Sequence, residues 1–242
     1  MYSDKILPWS VHVFTASGLL AGFLAILAIN RSDWRAAMAW LLVALVVDGI
    51  DGTLARIFKV SEKLPNIKGK MIDTVVDFTN YAVVPAYFIY MAGVVSPAVD
   101  LPIAFLILLV SAIYYGKEGM VSHDYYFIGF PVMWNVVVFY LVFVFPDPSI
   151  PVGTLKIVNA LVIVILAVLH FVPVKFAYPS RATRMKLLTI AATFSILLVM
   201  PLVVWLYPSV PVWLRILAIV NLAYFGVLAF FDTSRSWKSE AA

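Results

Sequence analysis

Long apolar stretches recur from one end of the chain to the other, and they exclude most of the folds open to 242 residues. Short breaks that contain proline, asparagine or charged residues separate them. About 20 consecutive apolar residues in a helix cross the hydrocarbon core of a bilayer. The predicted helices cover residues 11–29, 34–56, 71–94, 101–116, 129–146, 154–172, 185–206 and 212–231. The expected fold is therefore all-α, a polytopic integral membrane helix bundle with about eight transmembrane helices.

The composition supports this prediction. Hydrophobic residues make up 64% of the chain and charged residues 12%, against about 45–50% and about 25% in soluble domains. A water-soluble domain is thereby excluded, and the length leaves no room for a sizeable extramembrane domain beside about eight spans. We therefore expect a single transmembrane domain over residues 1–242. The chain has no cysteine, which excludes disulfides, thiolate metal sites and cysteine nucleophiles.

The basic residues predict how the bundle lies in the membrane. If both termini are cytoplasmic, 13 of the 17 lysines and arginines fall on the cytoplasmic side. The other four are Arg31, Arg35, Lys156 and Arg215. Cytoplasmic loops carry such an excess of positive charge, so we predict cytoplasmic termini. The net charge of +4 is then explained by orientation and lipid headgroups, and no nucleic-acid partner is expected.

Four acidic residues lie inside or at the ends of apolar helices, where an ionised carboxylate costs several kcal/mol unless it is paired or hydrated. Asp48 and Asp51 are three residues apart near the end of the second helix, and Asp73 and Asp77 are four apart near the start of the third. Each pair lies on one helix face. The two helices are joined by a cytoplasmic loop, so both pairs should lie near one depth. A divalent cation with all-oxygen ligands, Mg²⁺, Mn²⁺ or Ca²⁺, would remove their mutual repulsion.

Small residues accompany these acids. Gly52 and Ala55 lie on or beside the acidic face, where they would let a bulky ligand approach the backbone, and Arg56 is placed to clamp a phosphate. Taken singly, Gly52, Ala55 and Gly69 are better explained by tight helix packing, and Arg56 by anchoring at the membrane surface. Taken together with the four acids, the set favours a functional site.

The pattern D-x2-D-G-x2-A-R followed by G-x3-D-x3-D resembles the CDP-alcohol phosphotransferase family. It is met by Asp48, Asp51, Gly52, Ala55, Arg56, Gly69, Asp73 and Asp77. The 12 residues between Arg56 and Gly69 are more than many members of the family have, which favours a particular branch. Residues 11–18, 126–135 and 171–181 resemble the choline-using bacterial branch.

The resemblance implies a metal-dependent transfer of the phosphatidyl group from CDP-diacylglycerol to choline, with release of CMP. Asp48, Asp51, Asp73 and Asp77 would hold one or two Mn²⁺ or Mg²⁺ ions, with Asp77 also acting as the general base. Binding of CDP and phosphate would fall to Gly52, Ala55, Arg56 and Gly69. The resemblance further implies the bacterial inner (cytoplasmic) membrane, an active site that faces the cytoplasm, membrane lipids as partners and a homodimer.

Choline is a quaternary ammonium, which aromatic faces and carboxylates recognise. The candidate choline-binding residues are Tyr81, Tyr125, Phe130, Trp134 and Asn135. Aromatic residues at this depth are also typical of the interfacial belt of membrane proteins. His12 and His170 are expected to have structural roles.

Two other functions explain part of the pattern. A phosphatidylserine synthase, or another headgroup transferase that uses CDP-diacylglycerol, would share the acidic motif. It would need a basic residue for an anionic acceptor, and helices three to five show no dedicated basic cluster. A divalent-cation transporter would use the acids as an ion site, but the acidic pattern is not repeated in the second half of the chain. The transporter would also leave Gly52, Ala55 and Arg56 unexplained.

Overall fold

A computed structural model describes residues 3–124, 126–177 and 186–240 of the chain. Over these residues the fold is almost entirely helical. The α-helices are α1 Ser3–Asn30, α2 Trp34–Ile57, α3 Val60–Lys63, α4 Gly69–Phe78, α5 Val84–Ala92, α6 Asp100–Tyr115, α7 Trp134–Phe139, α8 Val152–Leu169, α9 Lys186–Leu206 and α10 Val212–Glu240. Two π-helical turns, Thr79–Val83 and Tyr140–Val144, continue α4 and α7. The strands are β1 Tyr126–Ile128 and β2 Lys175–Ala177.

Five helices within the described ranges, α1, α2, α8, α9 and α10, are long and apolar enough to cross a membrane. Two further apolar helices, α6 and α7 with its π-helical turn, are shorter. Large apolar side chains on the long helices face outward, such as Leu20 at 66% and Leu198 at 65% exposure. Outward apolar faces of this kind suit lipid rather than water. The prediction of a polytopic helical membrane protein is therefore confirmed.

The region before α7 differs from the prediction. A helix was expected from residue 129, but residues 126–128 form β1, which pairs antiparallel with β2, and α7 begins only at Trp134. Gly129 explains the difference, because its φ of +90° lies outside the helical range and a Cβ there would lie 2.2 Å from the carbonyl oxygen of His170. The backbone of residues 126–130 thus packs on the end of α8 instead of forming a helix.

Helix α1 packs tightly against the π-helical turn Thr79–Val83. The amide nitrogen of Asn80 donates a 3.0 Å hydrogen bond to the carbonyl of Gly18. A Cβ at Gly22 would lie 2.3 Å from the side-chain oxygen of Asn80, so this approach requires glycine. This contact holds α1 beside α4. Helix α1 forms one wall of the site described next.

Candidate active site

Three of the four predicted carboxylates meet in the structure. Asp48 is in α2, and Asp73 and Asp77 are in α4, and ligand oxygens from all three lie within 4.8 Å of one another. Asp51, one turn after Asp48, is buried at 6% exposure and lines a cleft together with Asp73. We call Asp48, Asp51, Asp73 and Asp77 the carboxylate centre.

The carboxylate centre has the donor set of a cation site. One oxygen of Asp77 is buried and has no hydrogen-bond partner among the described residues. Among the described residues, no lysine or arginine forms an ion pair with any of the four acids. Clustered carboxylates without a neutralising partner repel one another strongly, and oxygen ligands of this kind suit Mg²⁺ or Mn²⁺. The residues present therefore fit a divalent metal ion.

One side of the carboxylate centre carries tyrosines. The Tyr81 hydroxyl donates a 2.7 Å hydrogen bond to Asp48, and Tyr81 is held by the π-helical turn that follows α4. Tyr115, at the end of α6, lies next to Phe78, the residue that follows Asp77. Its ring packs edge-on against Phe78, with ring centroids 5.9 Å apart. We call this the tyrosine side. From the sequence, Tyr115 is one of several aromatic residues expected near the cytoplasmic face, and it is not among the five choline candidates; it lies on another helix, 38 residues after Asp77.

The other side opens into a cleft of about 460 Å³ between α1, α2, α3 and α4. Its walls include the small and basic residues of the motif, namely Gly52, Ala55, Arg56 and Gly69. The guanidinium of Arg56 donates a 3.0 Å hydrogen bond to the hydroxyl of Thr53. Because the Arg56 side chain is exposed, it can turn toward a ligand. Lys59 and Lys70 add positive charge. We call this the cleft side.

Two of the other candidate choline residues, Phe130 and Trp134, pack around His170. Trp134 is fully buried, stacks on His170 with centroids 5.5 Å apart, and donates a 2.9 Å hydrogen bond to Ser111. The Phe130 ring lies 5.4 Å from that of His170. Asn135 is fully buried, and neither polar atom of its side chain has a partner among the described residues. Tyr125 lies outside the described residues. Of the five candidates, the structure thus places Tyr81 directly against a site carboxylate.

Fold and site together define a polytopic helical membrane protein whose clustered carboxylates lie between an open cleft and a surface that carries tyrosines. Comparison with known proteins identifies its family. The chain is 35% identical over 235 residues to a phosphatidylcholine synthase of Pseudomonas aeruginosa, a match that covers 97% of this chain and 95% of that protein. It is 37% identical over 229 residues to a phosphatidylcholine synthase of Rhizobium johnstonii, covering 92% and 90%.

A third relative, a phosphatidylcholine synthase of Mesorhizobium japonicum, is 38% identical over 178 residues. That match covers 74% of this chain and 63% of the relative. No protein-family model matches the chain. The identities and coverage are sufficient to state that the chain belongs to the phosphatidylcholine synthase family, which confirms the resemblance to the choline-using branch.

Proposed function

We propose that the chain transfers the phosphatidyl group of CDP-diacylglycerol to choline and releases CMP. The observation that carries this proposal is the position of the carboxylate centre between two unlike surfaces. The cleft side is open, and it places Arg56 and Lys70 beside the acids Asp51 and Asp73, which suits an anionic nucleotide donor that binds together with a cation. The tyrosine side offers aromatic rings beside carboxylates, which suits a cationic acceptor.

The donor occupies the cleft side in this proposal. Arg56 binds a phosphate oxygen of the pyrophosphate group through its guanidinium. Gly52 and Ala55 leave space for the nucleotide beside α2, and Gly69 does so beside α4. The diacyl chains remain in the bilayer and enter between helices. This arrangement lets a membrane-bound substrate present a water-soluble group at the active site.

Asp48, Asp51, Asp73 and Asp77 would hold one or two Mg²⁺ or Mn²⁺ ions. A divalent ion bound there would neutralise the negative charge that builds up on the pyrophosphate as CMP leaves. The unpartnered oxygen of Asp77 supports this assignment, because a buried carboxylate oxygen without a donor or a cation is costly.

Asp77 is the proposed general base. It accepts the proton of the choline hydroxyl, and the hydroxyl oxygen forms a bond to the phosphorus that carries diacylglycerol. The bond from that phosphorus to the bridging oxygen breaks, and CMP leaves with that oxygen. A carboxylate is a weak base for an alcohol, so positioning of the two substrates supplies much of the rate. Asp77 suits this role because it lies in the carboxylate cluster with Asp48, which Tyr81 contacts on the proposed acceptor side.

The acceptor is proposed to bind over Tyr81. Phe130, Trp134, Asn135 and Tyr125 remain proposed choline-binding residues from the sequence. Aromatic faces stabilise a quaternary ammonium without needing a hydrogen-bond donor. The exposed positive charges of the site, Arg56, Lys59 and Lys70, lie on the opposite side. This separation favours a cationic acceptor over serine or an acceptor that carries a phosphate.

The membrane arrangement belongs to the same proposal. Residues 1–242 form one CDP-alcohol phosphotransferase domain with about eight transmembrane helices in the bacterial inner membrane. Both termini and the carboxylate centre face the cytoplasm, supported by the 13 basic residues that this topology puts on that side. The protein is expected to form a homodimer, as the family resemblance implies.

A panel of acceptors tests the function. Purified protein is incubated with CDP-diacylglycerol, Mn²⁺ and either choline, serine or glycerol phosphate, and CMP release is measured. We expect release with choline alone, and its loss when the metal is chelated. Release with serine and not with choline would assign the chain to phosphatidylserine synthesis. If no acceptor released CMP while the protein moved divalent cations across vesicles, the carboxylate centre would be a transport site.

A further inference from the structure

An open groove between α2 and α9 has no role in the mechanism above. Its volume is about 830 Å³, and none of its lining residues also lines the cleft. On α2 the wall runs from Arg35 to Ile50 and is apolar after Arg35. The α9 wall is one face of that helix, formed by residues three or four apart, namely Leu197, Met200, Pro201, Val204 and Trp205. Both walls therefore offer apolar surface to a chain that lies between the two helices.

The groove is long enough to hold the acyl chain of a lipid. Arg35 and Ile50 are 15 residues apart in α2, which corresponds to about 22 Å along the helix axis. One leaflet contributes half of a hydrocarbon core of about 30 Å, so the groove is longer than one leaflet is thick. Space between the helices comes from the small side chains of Ala36 and Ala39, of which Ala39 is exposed.

One end of the groove carries a positive charge. Arg35 is exposed there, with its guanidinium 5.8 Å from the centre of the Trp205 ring. Among the described residues, Arg35 forms no ion pair. Asp33 lines the same end, but its carboxylate accepts a 3.0 Å hydrogen bond from the amide of Ala36, so its charge lies at the positive N-terminus of α2. The guanidinium therefore keeps its donors for an anion at the end of an apolar groove.

We propose that the groove binds an anionic phospholipid, with its phosphate on Arg35 and one acyl chain between α2 and α9. The guanidinium forms charge-assisted hydrogen bonds with the phosphate oxygens, and burial of the chain against the apolar walls adds a hydrophobic contribution. A headgroup without a cation is preferred, because Arg35 repels the ammonium of a zwitterionic lipid. The headgroup lies at the end of α2 opposite Asp48 and Asp51, so this lipid is distinct from the donor at the carboxylate centre.

Native mass spectrometry of the full chain in a non-ionic detergent measures the affinity for the first bound lipid. Dioleoyl phosphatidylglycerol and dioleoyl phosphatidylcholine are compared, because they share both chains and the phosphate. Arg35→Gln removes the charge, and its matched control is Arg31→Gln, at an exposed arginine that does not line the groove. Ala39→Leu fills the groove, and its control is Ala191→Leu, at an exposed alanine of α9 outside the groove. Thermal unfolding without lipid shows whether each variant is folded.

We expect the wild type to bind phosphatidylglycerol about tenfold more tightly than phosphatidylcholine, as a charge-assisted hydrogen bond to Arg35 predicts. Arg35→Gln should reduce this preference to less than about twofold, whereas Arg31→Gln should retain it. Ala39→Leu should weaken phosphatidylglycerol binding at least about fivefold, because the chain loses its place between the helices, and Ala191→Leu should not. Phosphatidylglycerol should also raise the melting temperature of the wild type more than that of Arg35→Gln.

Three results would overturn the proposal. The first is equal affinity of the wild type for the two lipids, or a preference that survives in a folded Arg35→Gln protein. The second is an equal loss of preference in Arg31→Gln, which would show that general surface charge attracts the lipid. The third is conversion of a dimer into a monomer by Ala39→Leu with unchanged phosphatidylglycerol binding. The masses in the same spectra would then identify the groove as an interface between copies of the chain.

Discussion

The two sides of the carboxylate centre differ in nearly every physical property. The cleft side is open and carries exposed basic side chains, such as Arg56 and Lys70. On the tyrosine side Tyr81 is 7% exposed and its hydroxyl is committed to Asp48. One group of acids therefore presents an open surface for an anion and an enclosed, ring-lined surface for a cation. This difference, together with the basic side chains of the cleft, separates the donor from the acceptor.

Asp73 links the two sides. It lines the cleft with Asp51 and also lies within 4.8 Å of Asp48 and Asp77 in the cluster. Changes on one side should therefore affect one substrate selectively, whereas changes at the centre should affect the transfer itself. Five substitutions test this separation, in order of the expected effect.

Asp77→Asn should have the largest effect. The amide cannot accept the proton of choline, so transfer should fall at least about 100-fold. CMP affinity, measured by competition or direct titration, should change less than about threefold, because Asp77 does not line the cleft. Asp147→Asn, at an exposed acid in the loop before α8, is the control. Near-normal turnover of Asp77→Asn would contradict its role as the base.

Arg56→Ala should act on the donor alone. Loss of a charge-assisted hydrogen bond to phosphate should raise the KM for CDP-diacylglycerol about 10- to 100-fold. The choline KM should not change, because Arg56 lies on the cleft side. Lys59→Ala changes a less central basic residue of the cleft. It should raise the KM for CDP-diacylglycerol by a smaller factor than Arg56→Ala does. A rise in the choline KM as large as that for the donor would break the separation of the two sides.

Tyr81→Phe separates the ring of Tyr81 from its hydroxyl. Loss of the 2.7 Å hydrogen bond to Asp48 should weaken Mn²⁺ affinity about tenfold, as removing a group that orients a metal ligand does. The retained ring should leave the choline KM within about twofold, whereas Tyr81→Ala should raise it further. Calorimetric titration with Mn²⁺ and steady-state kinetics give the two quantities. Unchanged Mn²⁺ affinity in Tyr81→Phe would show that Asp48 needs no such support.

Phe130→Leu tests whether the cluster around His170 takes part in acceptor binding. Leucine keeps much of the volume but removes the aromatic face, so the choline KM should rise about two- to fivefold. The KM for CDP-diacylglycerol should stay constant in the same assays. Equal changes in both would indicate that Phe130 only packs against Trp134 and Phe176, whose rings lie 5.9 Å and 5.8 Å from its own.

The smallest effect is expected at the two-stranded ribbon that precedes Phe130. Lys175 in β2 forms a 3.0 Å ion pair with Asp124, and the Ser122 hydroxyl and Lys175 together lower the pKa of Asp124. Because the pKa of Asp124 is lower in the folded protein than in the unfolded chain, Asp124 stabilises the fold at pH values above its unfolded pKa. This stabilisation is lost as the pH falls through the folded pKa. Both side chains partly face water, so Lys175→Met should cost less than about 1 kcal/mol.

Thermal unfolding at several pH values measures this effect. The melting temperature of Lys175→Met should lie a few degrees below that of the wild type at neutral pH, and the difference should shrink in acid. Lys156→Met, at a lysine of α8 outside the ribbon, is the control. A difference that grew as the pH fell would contradict the sign of the Asp124 contribution.

The sequence was sufficient to predict the helices and the acids within them. Apolar length identified the membrane helices, and the spacing of Asp48 and Asp51, and of Asp73 and Asp77, put each pair on one face. These are properties of single helices, which depend on residues close in the chain. The short strands β1 and β2 were missed because their pairing joins residues about 50 positions apart.

The contacts between helices could not be predicted in the same way. Tyr115 and His12 reach the site from α6 and α1, and their approach depends on how those helices cross α4. The π-helical turn at Thr79–Val83 also rotates Tyr81 relative to a regular helix, so its pairing with Asp48 does not follow from spacing. The sequence thus identified the centre together with Arg56 and Tyr81, but not the contacts between helices that put these two residues on different sides of it.

The central claim is that donor and acceptor bind on opposite sides of the carboxylate centre. The stereochemical course at phosphorus tests this claim most directly. The measurement uses CDP-diacylglycerol made chiral at the phosphorus that carries diacylglycerol, with choline as acceptor, and determines the configuration of the phospholipid product. Direct in-line attack from the tyrosine side, with CMP leaving toward the cleft, predicts inversion. Retention would require two successive displacements through an enzyme-bound intermediate and would contradict the arrangement.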